Sequence, residues 1–409
     1  MAGRARALTV RVLLLVDCYL PYPKSQAKLI HDLGVELLRQ GHEVAVLAPS
    51  EAVASTVEVR MEDGLQVVRV KGPRIKGASK VMRAIHEERL ASLLWRGAGR
   101  FLRDNRFDLV VYYSPSIFLG RLVARLKRRW GCRSYLVLRD IFPQWAVDAG
   151  LLRKGLIWRF FRHRELQQYA AADVIGVQLP HDVEYFRTEL PRRRYRLEVL
   201  YNWMSLEREE LPRADLRGRL GLRDEIVFFY GGNIGVAQDM DNILRLAAAF
   251  PAELRAAFVI VGEGSEVERL KAKVGVEWLA NVHLLPAVPQ GEYLAMLGEV
   301  DVGLISLDRR LTTHNLPGKM LGYMHASLPI LASLNPGNDL AKIVPEGGAG
   351  LCSLNGDDAT LLRDAVSLAR DPELRRRMGA GSRALLEQRF SAAAAARQIV
   401  AAFSGESRR

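Results

Sequence analysis

The sequence predicts an α/β protein made of two doubly wound domains, each an open, mainly parallel sheet with helices on both faces. Three observations predict it. Apolar runs of strand length alternate with helical patterns along most of the chain, which is the βαβ rhythm of a parallel sheet. The rhythm pauses at a charged stretch, about 205–223, and then restarts. The 409 residues also exceed one ordinary core, whereas two domains of roughly 200 residues fit the size prior.

The elements follow in order. VRVLLLVD (10–17) is a near-continuous apolar run, the pattern of a strand buried on both faces. Arg11 interrupts it and Asp17 ends it, so a strand fits better than a signal peptide. A helix is predicted from about Lys24 to Gln40, with Gly41 as its stop and HEVAVLAPS (42–50) as the next strand. VEVRMEDGLQVVRV (57–70) carries the DG turn signal of a hairpin. Residues 71–106 read as loop then helix. DLVVYYS (108–114), RSYLVLRD (133–140), DVIGVQ (173–178) and RLEVLYNW (196–203) are further strands. After the charged stretch come EIVFFYGG, AFVIVGEG, VHLLPAV, VGLISLD, PILASL and AGLCSL. Helices are predicted at about 240–250, 265–274, 290–299, 357–370, 372–388 and 392–403. The expected domains are 1–204 and 205–389, with the last helices, from about 390, packing back onto the first.

Charge is placed unevenly. Residues 1–200 hold 35 Lys and Arg against 20 Asp and Glu, a surplus of 15. The remainder holds 24 against 26. The net charge of +13 therefore sits in the first half, and such a field favours anionic partners. Three distant cysteines, Cys18, Cys132 and Cys352, form no framework and no CxxC, so a reducing cytosol is expected. The eight scattered histidines show no ligand spacing, and no metal is expected. No apolar run approaches the roughly 20 residues of a spanning helix.

Three loops of the second half follow strands. YGGNIGVAQDMD (230–241) holds Gly231, Gly232 and Gly235, which let backbone approach a ligand closely. VGEG (261–264) repeats the manner with Gly262 and Glu263. LDRRLTTHNLPGKMLGYMHASLPILAS (307–333) crowds Arg309, Arg310, Thr312, Thr313, His314, Asn315 and Lys319 before a short helix, Gly318 to His325. Each alone also reads as a tight turn or a solvated loop. Together, on one edge of one sheet, they read as an anion site. In the first half, DCYLPYPKSQAK (17–28), YYSPS (112–116) and LRDIFPQWAVD (138–148) likewise follow strands. Arg139 and Asp140 there read as site residues or as caps of the next helix.

The segments "LLRQGHEVAVLAPS", "RDIFPQWAVDAGLL", "AADVIGVQ", "YNW", "YGGNIGVAQDMDNIL", "VGEGSEVERL", "DVGLISL" and "LPGKMLGYMHASLPILAS" together resemble the GT-B glycosyltransferases of family 4. The likeness is particularly to bacterial envelope-polysaccharide transferases of the WbuB/WcaI kind, and it covers nearly the whole chain. It implies two Rossmann-like domains facing a central cleft, with the acceptor in the first and a nucleotide-diphosphate sugar, UDP- or GDP-linked, in the second. It implies a retaining, metal-independent transfer with no cofactor. The donor-site residues would be Gly232, Asn233, Gly235, Gln238, Gly262, Glu263, Arg309, Arg310, Thr313, Asn315, Gly318, Lys319 and Tyr323. The catalytic ones would be Asp140, Lys319 and Tyr113, and the acceptor contacts Lys24, Ser25, Ser114 and Arg139.

The chain departs from that pattern. Two glutamates separated by seven residues are usual in such enzymes, and His314 and Gly322 stand in their places. Gly322 leaves room there, or passes the ribose contact to backbone or to a neighbour such as Tyr323. The usual Arg and Lys of the Gly-rich turn are Asn233 and Gln238. The phosphate charge must then be met elsewhere, by Lys319 first and by Arg309 or Arg310 second.

The resemblance also implies a polyprenyl-diphosphate-linked saccharide acceptor at the inner face of the plasma membrane. The basic segments 71–106 and 151–165, which interleave Arg and Lys with large apolar residues, fit peripheral contact with an anionic membrane or ordinary amphipathic helices. No RNP-like, zinc-finger or helix-turn-helix pattern supports nucleic acid. The rival readings are a GT-B-type sugar-nucleotide epimerase and an inactive GT-B binding module.

Overall fold

The computed structural model describes residues 9–22, 25–73, 80–148, 150–191, 193–207, 212–277, 279–311 and 316–404, with the backbone alone at 80–85, 148 and 404. The chain forms two compact units. One is Met1–Ser205 together with Ala392–Arg409, and the other is Leu206–Ser391.

In the first unit the strands are β1 (Arg11–Leu15), β2 (Glu43–Ser50), β3 (Val57–Glu62), β4 (Leu65–Lys71), β5 (Leu109–Tyr113), β6 (Arg133–Leu138), β7 (Val174–Val177) and β8 (Leu197–Val199). They form one sheet in the order β3-β4-β2-β1-β5-β6-β7-β8. All pairs are parallel except β3–β4. The apolar run of β1 lies near the middle because it can be buried on both faces. The one hairpin turns at Asp63 and Gly64, with φ of 48° and 81°, the double positive φ that such tight turns require. Its outer strand β3 is mostly exposed and carries charge, which suits a sheet edge.

The two faces of this sheet have separate cores. One gathers Leu94, Leu122, Leu126 and Tyr169 from covering helices. The other gathers Leu33 and Leu37 from the helix Ser25–Arg39 and Ala395, Ala396 and Ile399 from the last helix. That last helix is fastened by polar ends as well. Gln40 donates to the Ala393 carbonyl at 3.1 Å, and Gln398 donates to the Val199 carbonyl at 2.9 Å. RLEVLYNW forms only the three residues of β8. Its Trp203 instead enters the core, 1% exposed, with its indole N–H on the Leu29 carbonyl at 2.8 Å.

In the second unit the strands are β9 (Ile226–Gly231), β10 (Ala256–Gly262), β11 (Val282–Pro286), β12 (Val302–Ser306), β13 (Ile330–Leu334) and β14 (Gly350–Leu354). Their order is β11-β10-β9-β12-β13-β14, with every pair parallel. Phe228, Phe258, Leu304 and Leu331 anchor one face of the sheet, with Phe228 and Phe258 stacked at 5.1 Å. This strand order reverses between β9 and β12. In the first unit the reversal falls between β1 and β5. Among the described residues no helix is long and apolar enough to cross a membrane.

Candidate functional site

Ligands of open α/β sheets bind outside the carboxyl ends of the strands, where the strand order reverses. In the second unit the chain leaves β9 through the Gly-rich turn and leaves β12 through the loop that ends at Lys319. Both exits lie at the reversal.

Backbone packing shapes the turn. Gly232 has φ of +132°. A Cβ on Gly262 would stand 1.9 Å from the Gly232 carbonyl oxygen, so the two Gly-rich turns touch backbone to backbone. Ile234 N donates to the Glu263 carbonyl at 2.8 Å, and Glu266 N to the Ile234 carbonyl at 3.0 Å. The Gln238 Oε1 accepts from Asn233 Nδ2 at 2.7 Å and from Gly235 N at 3.1 Å, closing the turn on itself. Asn233 and Gln238, the neutral replacements, thus first hold each other. Asp308 N donates to the Ala237 carbonyl at 2.9 Å and ties the second loop to the first.

Lys319 completes this arrangement. Its Cε and Nζ lie 3.3 and 3.6 Å from where a Gly232 Cβ would stand. Its Nζ lies 3.3 Å from the centroid of the Tyr230 ring. No described carboxylate pairs with it. Burial therefore pushes its pKa well below the ordinary lysine value, while the ring face offsets part of that by attracting the charged form. Lys319 thus stands beside a glycine with no carboxylate partner among the described residues.

The other expected cations do not gather here. The Arg310 guanidinium is engaged by Asp308, with Nε 3.0 Å from Oδ1. Arg309 extends toward the turn after β14, where its Nη1 lies 3.0 Å from the Cβ position of Gly356. Glu263 and Gly318 are exposed at the same strand ends. The reading of Tyr323 as a ribose contact is corrected. The residue is fully buried, and its hydroxyl accepts from Gly231 N at 3.2 Å and faces the Leu304 carbonyl at 3.2 Å. Thr313 and Asn315, with Thr312 and His314, lie outside the described residues, as does Lys24.

In the first unit, Asp140 lies exposed two residues past the end of β6. Desolvation by the surrounding chain raises its carboxyl pKa, against the opposing charge of Arg139. Three neighbours require correction. Arg139 donates to the Leu200 and Tyr201 carbonyls and lies over the Trp203 ring at 5.0 Å, so it fastens the sheet rather than meeting an acceptor. Tyr113 is a core residue beside Arg139, 4% exposed, and burial raises its phenol pKa. Ser114 is fully buried, with its hydroxyl on the Asp140 carbonyl at 3.4 Å. Ser25 opens its helix exposed, and the following Gln26 donates to Asp17 after β1.

Two family models match this chain. "Glycosyl transferase 4-like domain" matches residues 26–203, and "Glycosyl transferases group 1" matches residues 225–371. The chain belongs to the GT-B glycosyltransferases of family 4. It is similar to the probable glycosyltransferase WbjE of Pseudomonas aeruginosa, 28% identical over 268 residues, which are 64% of this chain and 66% of WbjE. The alignment thus spans just under two thirds of that relative. It is also similar to WcaI of Escherichia coli, a putative colanic acid biosynthesis glycosyl transferase, 26% identical over 310 residues, 69% of this chain and 73% of WcaI. Among solved structures, Anabaena HepE in complex with UDP matches with a TM-score of 0.65 at 14% identity, over 97% of this chain and all of that one. That likeness speaks for the shared fold.

Two residues of this GT-B chain escaped the sequence reading. Tyr230 opened the Gly-rich turn without a role of its own, and only its place just before Gly231 and Gly232 hinted at more. Tyr293 gave no local signal. It reaches from the helix Gln290–Met296 to cover Gly231 and Gly322, with its hydroxyl 3.5 Å from the Cβ position of Gly322. The space where the second glutamate of the family pattern would start is therefore walled by a tyrosine.

Proposed function

We propose that this glycosyltransferase moves a hexose-type sugar, with retained anomeric configuration, from a UDP- or GDP-sugar to a polyprenyl-diphosphate-linked acceptor. The setting is the assembly of a bacterial envelope polysaccharide at the inner face of the plasma membrane. The name of WcaI, a putative colanic acid biosynthesis transferase, supports the polysaccharide setting, and that of WbjE supports sugar transfer alone. The observation that carries the reading is the ammonium of Lys319 beside Gly232.

In the transfer, the bond from the anomeric carbon to the diphosphate oxygen breaks, and the acceptor oxygen bonds to that carbon as its proton is lost to the Asp140 carboxylate. Negative charge grows on the leaving diphosphate. Lys319 meets that charge in place of a metal ion, as a fixed cation needing no rearrangement. The exposed carboxylate of Asp140 orients the acceptor hydroxyl by accepting its hydrogen bond.

The test is thermal unfolding with UDP, GDP, ADP, CMP or dTDP, in chelator. UDP or GDP at a hundred times its dissociation constant should stabilise by about 2.7 kcal/mol. Stabilisation by none of the five would overturn the donor assignment.

A further inference from the structure

We infer that the surface running from Leu151 to Phe160 docks this protein on an anionic lipid bilayer. Among the described residues twelve large apolar side chains are exposed, and four of them fall in this one stretch. Leu156 and Leu151 are 84% and 74% exposed, and Ile157 is 65% exposed. They are not a core face left over. The inward side of the helix Leu156–Ala171 is already filled by Phe161, edge-on to Phe142 at 5.0 Å, and by the buried Glu165, Gln168 and Tyr169. Leu156, Ile157 and Phe160, in the first turns, stay exposed outside that packing.

The charge around them selects the occupant. No acidic residue occurs from 150 to 164. Arg153, Lys154 and Arg159 are exposed and in no ion pair among the described residues. By contrast, Arg162 and Arg164 turn inward to Glu165 and Glu88. Apolar side chains flanked by free cations, with no acids, match the boundary between anionic headgroups and acyl chains. A second copy fits poorly, because a two-fold contact would set these cations against themselves. The stretch lies in the connection that follows β6 and Asp140, so docking would bring the carboxyl edge of the first sheet toward the bilayer. In that respect the inference rests on the lipid-linked acceptor proposed above.

The experiment is flotation with vesicles of phosphatidylcholine alone or mixed with phosphatidylglycerol. It compares the intact chain, a Leu156→Ser/Ile157→Ser/Phe160→Ser variant and an Arg153→Gln/Lys154→Gln/Arg159→Gln variant. Each cation near an anionic surface contributes about a factor of five, so the intact chain should prefer the anionic vesicles by about a hundredfold. The serine variant should lose binding to both vesicle types, and the glutamine variant should lose the preference. Nucleotide-induced stabilisation should be unchanged in both, which shows that they fold and tests the donor site separately. Equal flotation of all three proteins would overturn the inference. So would a dimer of the intact chain that disappears in the serine variant.

Discussion

The Nζ of Lys319 lies 3.3 Å from the centroid of the Tyr230 ring, at the point where the Gly-rich turn leaves its strand. The ring face holds the charge in place, and no described carboxylate neutralises it. Lys319→Ala should therefore lower sugar transfer about 10²-fold or more, the loss typical of one preorganised donor to a developing anion. Steady-state transfer rates check this, and a loss below about threefold would remove Lys319 from the site.

The same lysine gives a pH signature. Its pKa in the native chain is lowered below 10.5 by desolvation. Between the lowered value and 10.5 the unfolded chain holds the proton and the native chain does not. Native stability should thus rise with pH through this window, and the burial penalty stays constant below it. Urea unfolding across pH should show the rise in the intact chain and not in Lys319→Met. Diphosphate binding restores the charge, so it should take up a proton and weaken as pH climbs through the window. Calorimetry in two buffers of different ionisation enthalpy measures that uptake.

Gly262→Ala tests the contact between the two turns. Its Cβ would sit 1.9 Å from the Gly232 carbonyl oxygen, so backbone must move. Destabilisation of about 1–3 kcal/mol is expected, together with weaker nucleotide binding. Denaturant titration and the nucleotide-induced thermal shift read the two effects. Unchanged nucleotide affinity would show that the turn contact does not shape the donor site.

Asp140 and Arg139 adjoin in sequence but should behave oppositely. Asp140→Asn should cut transfer and leave unfolding unchanged. It should also remove the acidic limb of the pH–kcat/KM profile, which in the intact chain is displaced upward from the ordinary aspartate value because desolvation raises the Asp140 pKa. Arg139→Met leaves the carbonyls of Leu200 and Tyr201 without their donor, at about 1–3 kcal/mol each. It should lower the unfolding midpoint while the donor site still binds nucleotide.

The sequence by itself determined the alternation of strands and helices, the restart near residue 205, the hairpin at Asp63 and Gly64, and the three loops that follow β9, β10 and β12. These are local signals. Burial along one strand or helix has a fixed period, and tight turns demand particular residues. Lys319 was legible because its loop combines a cation with a strand end. Tertiary structure decided which polar groups stay free. Arg310 is engaged by Asp308, Arg139 by the Leu200 and Tyr201 carbonyls, and Tyr323 by the backbone of β9 and β12. It also brought Tyr293 onto Gly322 and Tyr230 under Lys319. Those contacts join segments far apart in the chain. They depend on strand order and register, which no local period encodes.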